Sequence, residues 1–344
     1  MKRALVISGG GSKGAFAVGV IKQLQQIFPT LFFDIYVGTS TGSLIVPLAA
    51  IDEIALLEEI YTTQKKGTIV KELRIGDRLN TDSIFDANPL WDLVNRHFTD
   101  ARYNELIGSG KKLYINTTCL QTEELVVFTN DAAASSQEGY AVRQIVNSDH
   151  FRRAIMASAC QPVFMPTIQV NKNLPGNPEK DFQYVDGGVR QYAGIEMAID
   201  AGATEIFTIL LSSGLSDFEN TYYGDLFKLL QRTIDIFTTD VSKNDLIIPD
   251  QYNRALTYID AVKRKMINDG ISKNDVDRYF TIGENPFDNK VPLKLFTIRP
   301  ETPLGGGPGG LNFDMIEMQG MLARGIGNAN AFRNDLRPGD ITWA

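Results

Sequence analysis

The sharpest hydrophobic pattern lies at the amino end. Residues 4–8, Ala-Leu-Val-Ile-Ser, form a short apolar run, a glycine cluster follows at once, and from Ala15 to Ile27 apolar positions recur at helical spacing. The plan then repeats. Phe32–Val37 reads as a strand, Gly38 to Gly42 as a turn and Ser43–Tyr61 as a helix. Two consecutive strand-turn-helix units predict an α/β fold of three layers, α/β/α, with a mainly parallel central sheet.

The next stretch, about residues 62–112, is more polar and irregular, with short helices expected around Ser83–Phe98, and reads as an insertion over the sheet. Leu113–Leu120 and Glu124–Thr129 alternate as a hairpin across Gln121-Thr122-Glu123. A helix at Asp149–Ser158 ends before Pro162. Strands at Phe164–Val170 and Phe182–Val185 flank a Pro/Asn-rich loop, Asn171–Lys180, and precede a helix at Ile195–Ala201 and a buried strand at Thr204–Leu211. From 213 to 344 the pattern becomes mostly helical: Tyr222–Phe237, Gln251–Asn268, and Phe313–Arg324 or somewhat longer. A strand at Leu293–Ile298 and a Gly/Pro-rich loop at Pro300–Gly310 interrupt it. The expected organisation is therefore a core of residues 1–212 with a C-terminal extension, 213–344, packed on the same domain.

Composition narrows the chemistry. A chain of 344 residues, 43% hydrophobic, buries a large core without staples, and its two cysteines, Cys119 and Cys160, exclude a disulfide framework or a cysteine-based zinc site. The net charge of −7 argues against a nucleic-acid partner bound through phosphate neutralisation. No segment approaches the roughly 18 apolar residues that span a bilayer. The nearest, Leu44–Leu57, is broken by Pro47, Asp52 and Glu53, and the run after Met1-Lys2-Arg3 stops at Ile7. A cytoplasmic location is the expectation, and contact with a membrane surface stays open because peripheral binding needs no spanning helix.

Gly38-Thr39-Ser40-Thr41-Gly42 sits between an expected strand and an expected helix. Flanking glycines there permit the strained turn that lifts a serine hydroxyl above a sheet edge, although such a loop can also simply cap a helix. Gly9-Gly10-Gly11-Ser12-Lys13-Gly14 matches GxGxxG. A P-loop would place Lys and then Ser/Thr directly after the last glycine, and Ala15-Phe16 stand there instead. A dinucleotide site would place an acid at the far end of the second strand, but Asp34 lies at its start. The reading that uses both loops makes the first an anion hole of backbone amides beside Ser40.

A serine hydroxyl needs a base. The chain has two histidines, His97 and His150, each on an expected helix where structural or solvated roles are ordinary. The other candidate is Asp186 in Asp186-Gly187-Gly188, just after a strand, which is also a common turn. Lys13 either steers an anionic group towards the hole or is a solvated cation. Met315, Met318 and Met321, spaced by three, read as core packing with a lipid groove as the alternative, and Gly305–Gly310 as a connection or a cover.

These three motifs, in this order and with Ala157-Ser158-Ala159-Cys160-Gln161-Pro162 before the aspartate, resemble the patatin-like phospholipase family over about residues 1–212. The resemblance implies a lipid acyl hydrolase that cleaves carboxylic esters through a Ser40–Asp186 dyad. The Gly9–Gly14 amides would form the oxyanion hole, and no metal or organic cofactor would be required. The expected partner is a lipid or other ester substrate, and the oligomeric state is not specified. One departure stands out: the family often has Asn-Pro after Asp-Gly-Gly, whereas Val189-Arg190-Gln191-Tyr192-Ala193 follows here. The competing functions are a Ser-His hydrolase or acyltransferase, in which one histidine is indispensable, and a catalytically silent lipid-binding module.

Overall fold

The computed structural model describes residues 2–63, 69–72, 82–214, 222–283, 285–287 and 290–341. Strand β1 (Arg3–Ile7) leads through a single 3-10 turn at Gly11–Lys13 into α1 (Gly14–Ile27) and on to β2 (Ile35–Thr39). Helices α2 (Thr41–Ala50) and α3 (Ile54–Thr63) follow, then a two-residue ribbon, β3 (Lys71–Glu72) with β4 (Phe85–Asp86), and helices α4 (Asn88–His97) and α5 (Asp100–Gly108). Next come β5 (Lys112–Cys119), β6 (Leu125–Thr129), β7 (Ala141–Gln144), α6 (Ser148–Ala159), β8 (Tyr184–Asp186), α7 (Ile195–Asp200) and β9 (Glu205–Ile209). The remainder forms α8 (Leu226–Asn268), α9 (Lys273–Phe280), β10 (Lys294–Ile298) and α10 (Met315–Asp335).

The main sheet has the order β10-β9-β1-β2-β5-β6-β7, with β8 also on β5. The five strands from β10 to β5 are mutually parallel, and the β5–β6 hairpin and β8 are antiparallel. Side chains alternate across it, as strand geometry demands. Leu5 and Ile7 of β1 join a core with Phe16 of α1, Ile155 of α6 and Met321 of α10, while Ala4 and Val6 join Ile195 and Met197 of α7 on the other face. The three-layer expectation holds. β10, from the carboxyl-terminal third, is an integral edge of the sheet.

Several expected elements differ. The helix expected over Ser43–Tyr61 is two, because the chain turns at Ile51–Glu53 with Asp52 in the left-handed region (φ 62°). The strand expected over Phe32–Val37 starts at Ile35 and runs to Thr39, so the turn contracts to Ser40 alone. Phe164–Val170 forms only a single bridge, Ile168 to Tyr184, in a segment where Pro162 and Pro166 lack the amide donors a ladder needs. The helices expected at Tyr222–Phe237 and Gln251–Asn268 are joined in α8, 43 residues long with Pro249 inside it. Residues 64–68 and 73–81 of the expected insertion, and 215–221 of the extension, lie outside the described residues.

Candidate active site

Ser40 is a one-residue corner between β2 and α2, at φ 56° and ψ −125°, a backbone conformation that costs a non-glycine residue energy and persists only when its surroundings enforce it. The enforcement is visible. A side chain at Gly38 would strike the Gly42 carbonyl, and one at Gly42 would strike the Ile7 carbonyl, so both flanking positions admit only hydrogen. The Ser40 amide donates to Ser158 Oγ at 2.9 Å, and Ser158 Oγ donates to the Asn116 carbonyl at 2.7 Å. Ser43 Oγ donates to the Ser40 carbonyl at 2.6 Å. Thr39 accepts from Asn116 Nδ2 at 2.9 Å, and Thr41 bonds the Tyr61 hydroxyl. None of these partners was signalled by the motif, apart from the small-residue character of Ala157–Ala159.

Asp186 ends β8, where its backbone is gripped from both sides: its amide donates to the Cys160 carbonyl at 2.8 Å and its carbonyl accepts from Thr118 Oγ1 at 3.1 Å. Its carboxyl accepts from the Gly188 amide at 2.7 Å, and a side chain at Gly187 would collide with the Asn116 carbonyl. Burial pushes the Asp186 pKa up to about 6, while the facing Ser40 hydroxyl and the Gly188 amide pull it back. Of those two donors Gly188 makes the short, aligned bond. Ser40 and Asp186 are 9% and 8% exposed and line the same cavity.

The loop after β1 lies beside them. The Gly9 α-carbon packs against Ser40, such that an added Cβ would lie 3.1 Å from the serine Cβ. Within this loop the Gly9 amide donates to the Tyr192 carbonyl at 3.3 Å and the Lys13 amide to the Gly10 carbonyl at 3.1 Å. The Gly14 amide turns towards the Gly11 and Ser12 carbonyls. Gly9, Gly10, Gly11 and Lys13 line the cavity, whereas Ser12 is buried behind it. Gly10 (φ 155°) and Gly11 (φ 57°) have backbone conformations that other residues rarely adopt, and Gly310 of the C-terminal loop sits directly against both.

The cavity measures about 610 Å³. One wall is apolar, built from Leu44 and Leu48 of α2, Leu57 and Ile60 of α3, and Leu90, Leu93 and Val94 of α4. The segment expected as an insertion over the sheet thus supplies part of the cavity. His97 also lines it. His150 does not: its ring is buried, accepts from the Val146 amide at 3.2 Å and bonds Asn171 Oδ1 at 3.1 Å. Met318 and Met321 are buried, and Met318 also lines the cavity, while Met315 is 36% exposed. Both cysteines are free and buried.

A contact invisible in the sequence closes the site from behind. Asp245 of α8 is buried and accepts from the Tyr192 and Ala193 amides, the latter at 3.0 Å. Burial lifts its pKa to about 6, against those two bonds. The peptide it holds is the one whose carbonyl receives the Gly9 amide, within the stretch where this chain departs from Asn-Pro.

A family model described as patatin-like phospholipase matches residues 5–199. The chain belongs to the patatin-like phospholipase family. Its match encloses Ser40, Asp186 and the glycine loop, and excludes α8, β10 and α10. A "cUMP-AMP-activated phospholipase" of Escherichia coli is 36% identical over 64 residues, 17% of this chain and 20% of that protein, so the chain aligns with only a fifth of that relative's length. The crystal structure of VipD from Legionella pneumophila superposes with a TM-score of 0.41 at 11% identity, covering 97% of this chain and 67% of that one. Among the described residues no helix is long and apolar enough to cross a membrane.

Proposed function

We propose that this patatin-like protein is a lipid acyl hydrolase working through Ser40 and Asp186. Ser40 Oγ attacks the ester carbonyl carbon as its proton passes to the Asp186 carboxylate. The proton then goes to the departing alcohol oxygen, leaving an acyl-serine. Water attacks that acyl group in the reverse sequence, giving up one proton through Asp186, and the fatty acid leaves as Ser40 is restored. Gly10 and Gly11 line the cavity, and their amides are the candidate donors to the oxyanion, since those of Gly9, Lys13 and Gly14 are engaged within the fold. The amino end of α1 adds its positive dipole there.

The observation that carries this reading is a strained serine facing a buried carboxyl whose pKa is lifted to about 6, inside an apolar cavity. An ordinary aspartate is a poor acceptor for a hydroxyl proton, and the lift makes this one a better base. The apolar wall suits an acyl chain. Val189, Ile236 and Ile247 line the cavity yet are 44%, 49% and 51% exposed, which marks a mouth fit to meet a lipid surface.

Turnover of a short-chain nitrophenyl ester tests the assignment. Ser40→Ala and Asp186→Asn should each lower kcat by at least about a thousandfold. Wild-type turnover in Ser40→Ala refutes the reading. A collapse of the same size in His97→Gln, with Asp186→Asn active, would favour a serine–histidine enzyme instead.

A further inference from the structure

At the carboxyl edge of the parallel strands, the loops after β1, β2, β9 and β10 converge on one cavity, and the last of them contributes Arg299. Its Nε and Nη2 donate to the Ser212 carbonyl at 3.2 and 3.1 Å. Gly214 (φ 75°) packs against the guanidinium so closely that an added Cβ would lie 2.5 Å from Nη2. Burial lowers the Arg299 pKa, and the nearby Tyr192 hydroxyl acts in the opposite sense. None of its described contacts is with a carboxylate. A cation drawn partly out of water without a counter-ion is unfavourable, and a planar guanidinium is well suited to a phosphate.

Lys13 lines the same cavity from the β1 loop, and Arg232 and Lys243 of α8 line it as well. These cations stand out because the chain as a whole is acidic, at −7. Among the described residues Asp186 is the carboxylate that lines the cavity, and the reaction already occupies it. A head group with a positive end therefore finds no described carboxylate to receive it, whereas a negative one finds Arg299 and Lys13.

We propose that Arg299 and Lys13 seat the phosphodiester of a glycerophospholipid with a net negative head group, so that anionic lipids are preferred over zwitterionic and uncharged ones. The proposal rests on the acyl-hydrolase reading for turnover but not for binding, and the two can be separated. Calorimetry on the full chain carrying Ser40→Ala, with dihexanoyl phosphatidylglycerol, phosphatidylcholine and diacylglycerol as probes, should show the first binding about tenfold tighter. Adding Arg299→Gln should erase that preference, and adding Lys13→Gln, on a separate loop, should reduce it. In active protein, Arg299→Gln should lower the phosphatidylglycerol-to-diacylglycerol ratio of kcat/KM by a similar factor. A preference that survives both substitutions overturns the proposal, as does equal binding of the three lipids. Glycerophosphoglycerol, which lacks acyl chains, should bind far more weakly, and equal affinity would reassign the site to a soluble phosphodiester. Should the binding preference hold while no lipid is turned over, the hydrolase reading fails and the anion site stands.

Discussion

Asp186 sets the pH behaviour of the proposed reaction. As a base it must be ionised, and its pKa is raised from 3.8 to about 6 chiefly by burial. The kcat/KM for a soluble ester should therefore fall as pH drops through about 6 and level off above about 7, with a slope of one proton. The limb should persist in His97→Gln, and a limb that vanishes there would show that imidazole rather than carboxyl ionisation is being followed. The sign for stability is opposite. Ionised Asp186 is disfavoured in the folded state, so its burden is fully present above the folded value and vanishes below the unfolded one. At this scale the motifs were legible, because glycines at 9–11, 38, 42 and 187 mark the turns that follow expected strands. What Ser158, Asn116 and Asp245 do was not legible. Each bonds a partner more than 40 positions away, and neither residue type nor periodicity encodes such a pairing.

Elements meet most closely where side chains are missing. Helices α1 and α10 cross with Gly19 against the Leu322 carbonyl and Gly325 against the Phe16 carbonyl, so the two backbones touch. Gly325→Val would force them apart at a buried crossing and should cost about 1–3 kcal/mol, the usual range for overpacking, measured by urea unfolding with an unchanged slope. Gly327→Val, where an added Cβ meets nothing within 4 Å, should cost less than about half of that. The same scale shows where sequence reading stopped short. Apolar spacing found α1 and α6 to within a residue or so at each end, but could not see that the left-handed Asp52 would split one helix into two. Nor could it see that Pro249 would be absorbed within α8.

Across the molecule, residues outside the family match are built into the part that bears the motifs. β10 pairs with β9 over Lys294–Ile298, α10 covers α1, and Asp245 holds the Tyr192 peptide. A chain ending at residue 212 would bare one face of α1 and the open edge of β9, and would leave the Tyr192 and Ala193 amides without their acceptor. It should be recovered without a cooperative thermal transition, and a sharp melt for that fragment would show that the first 212 residues suffice. The packing of Gly310 on Gly10 and Gly11 has a further bearing on biosynthesis. Some three hundred residues separate the two loops, so a nascent chain carries Ser40 long before the glycine loop beside it gains its backing. On the proposed hydrolase reading, lipid cleavage is withheld until translation has passed residue 310, and a prematurely terminated product is harmless to the membranes around it.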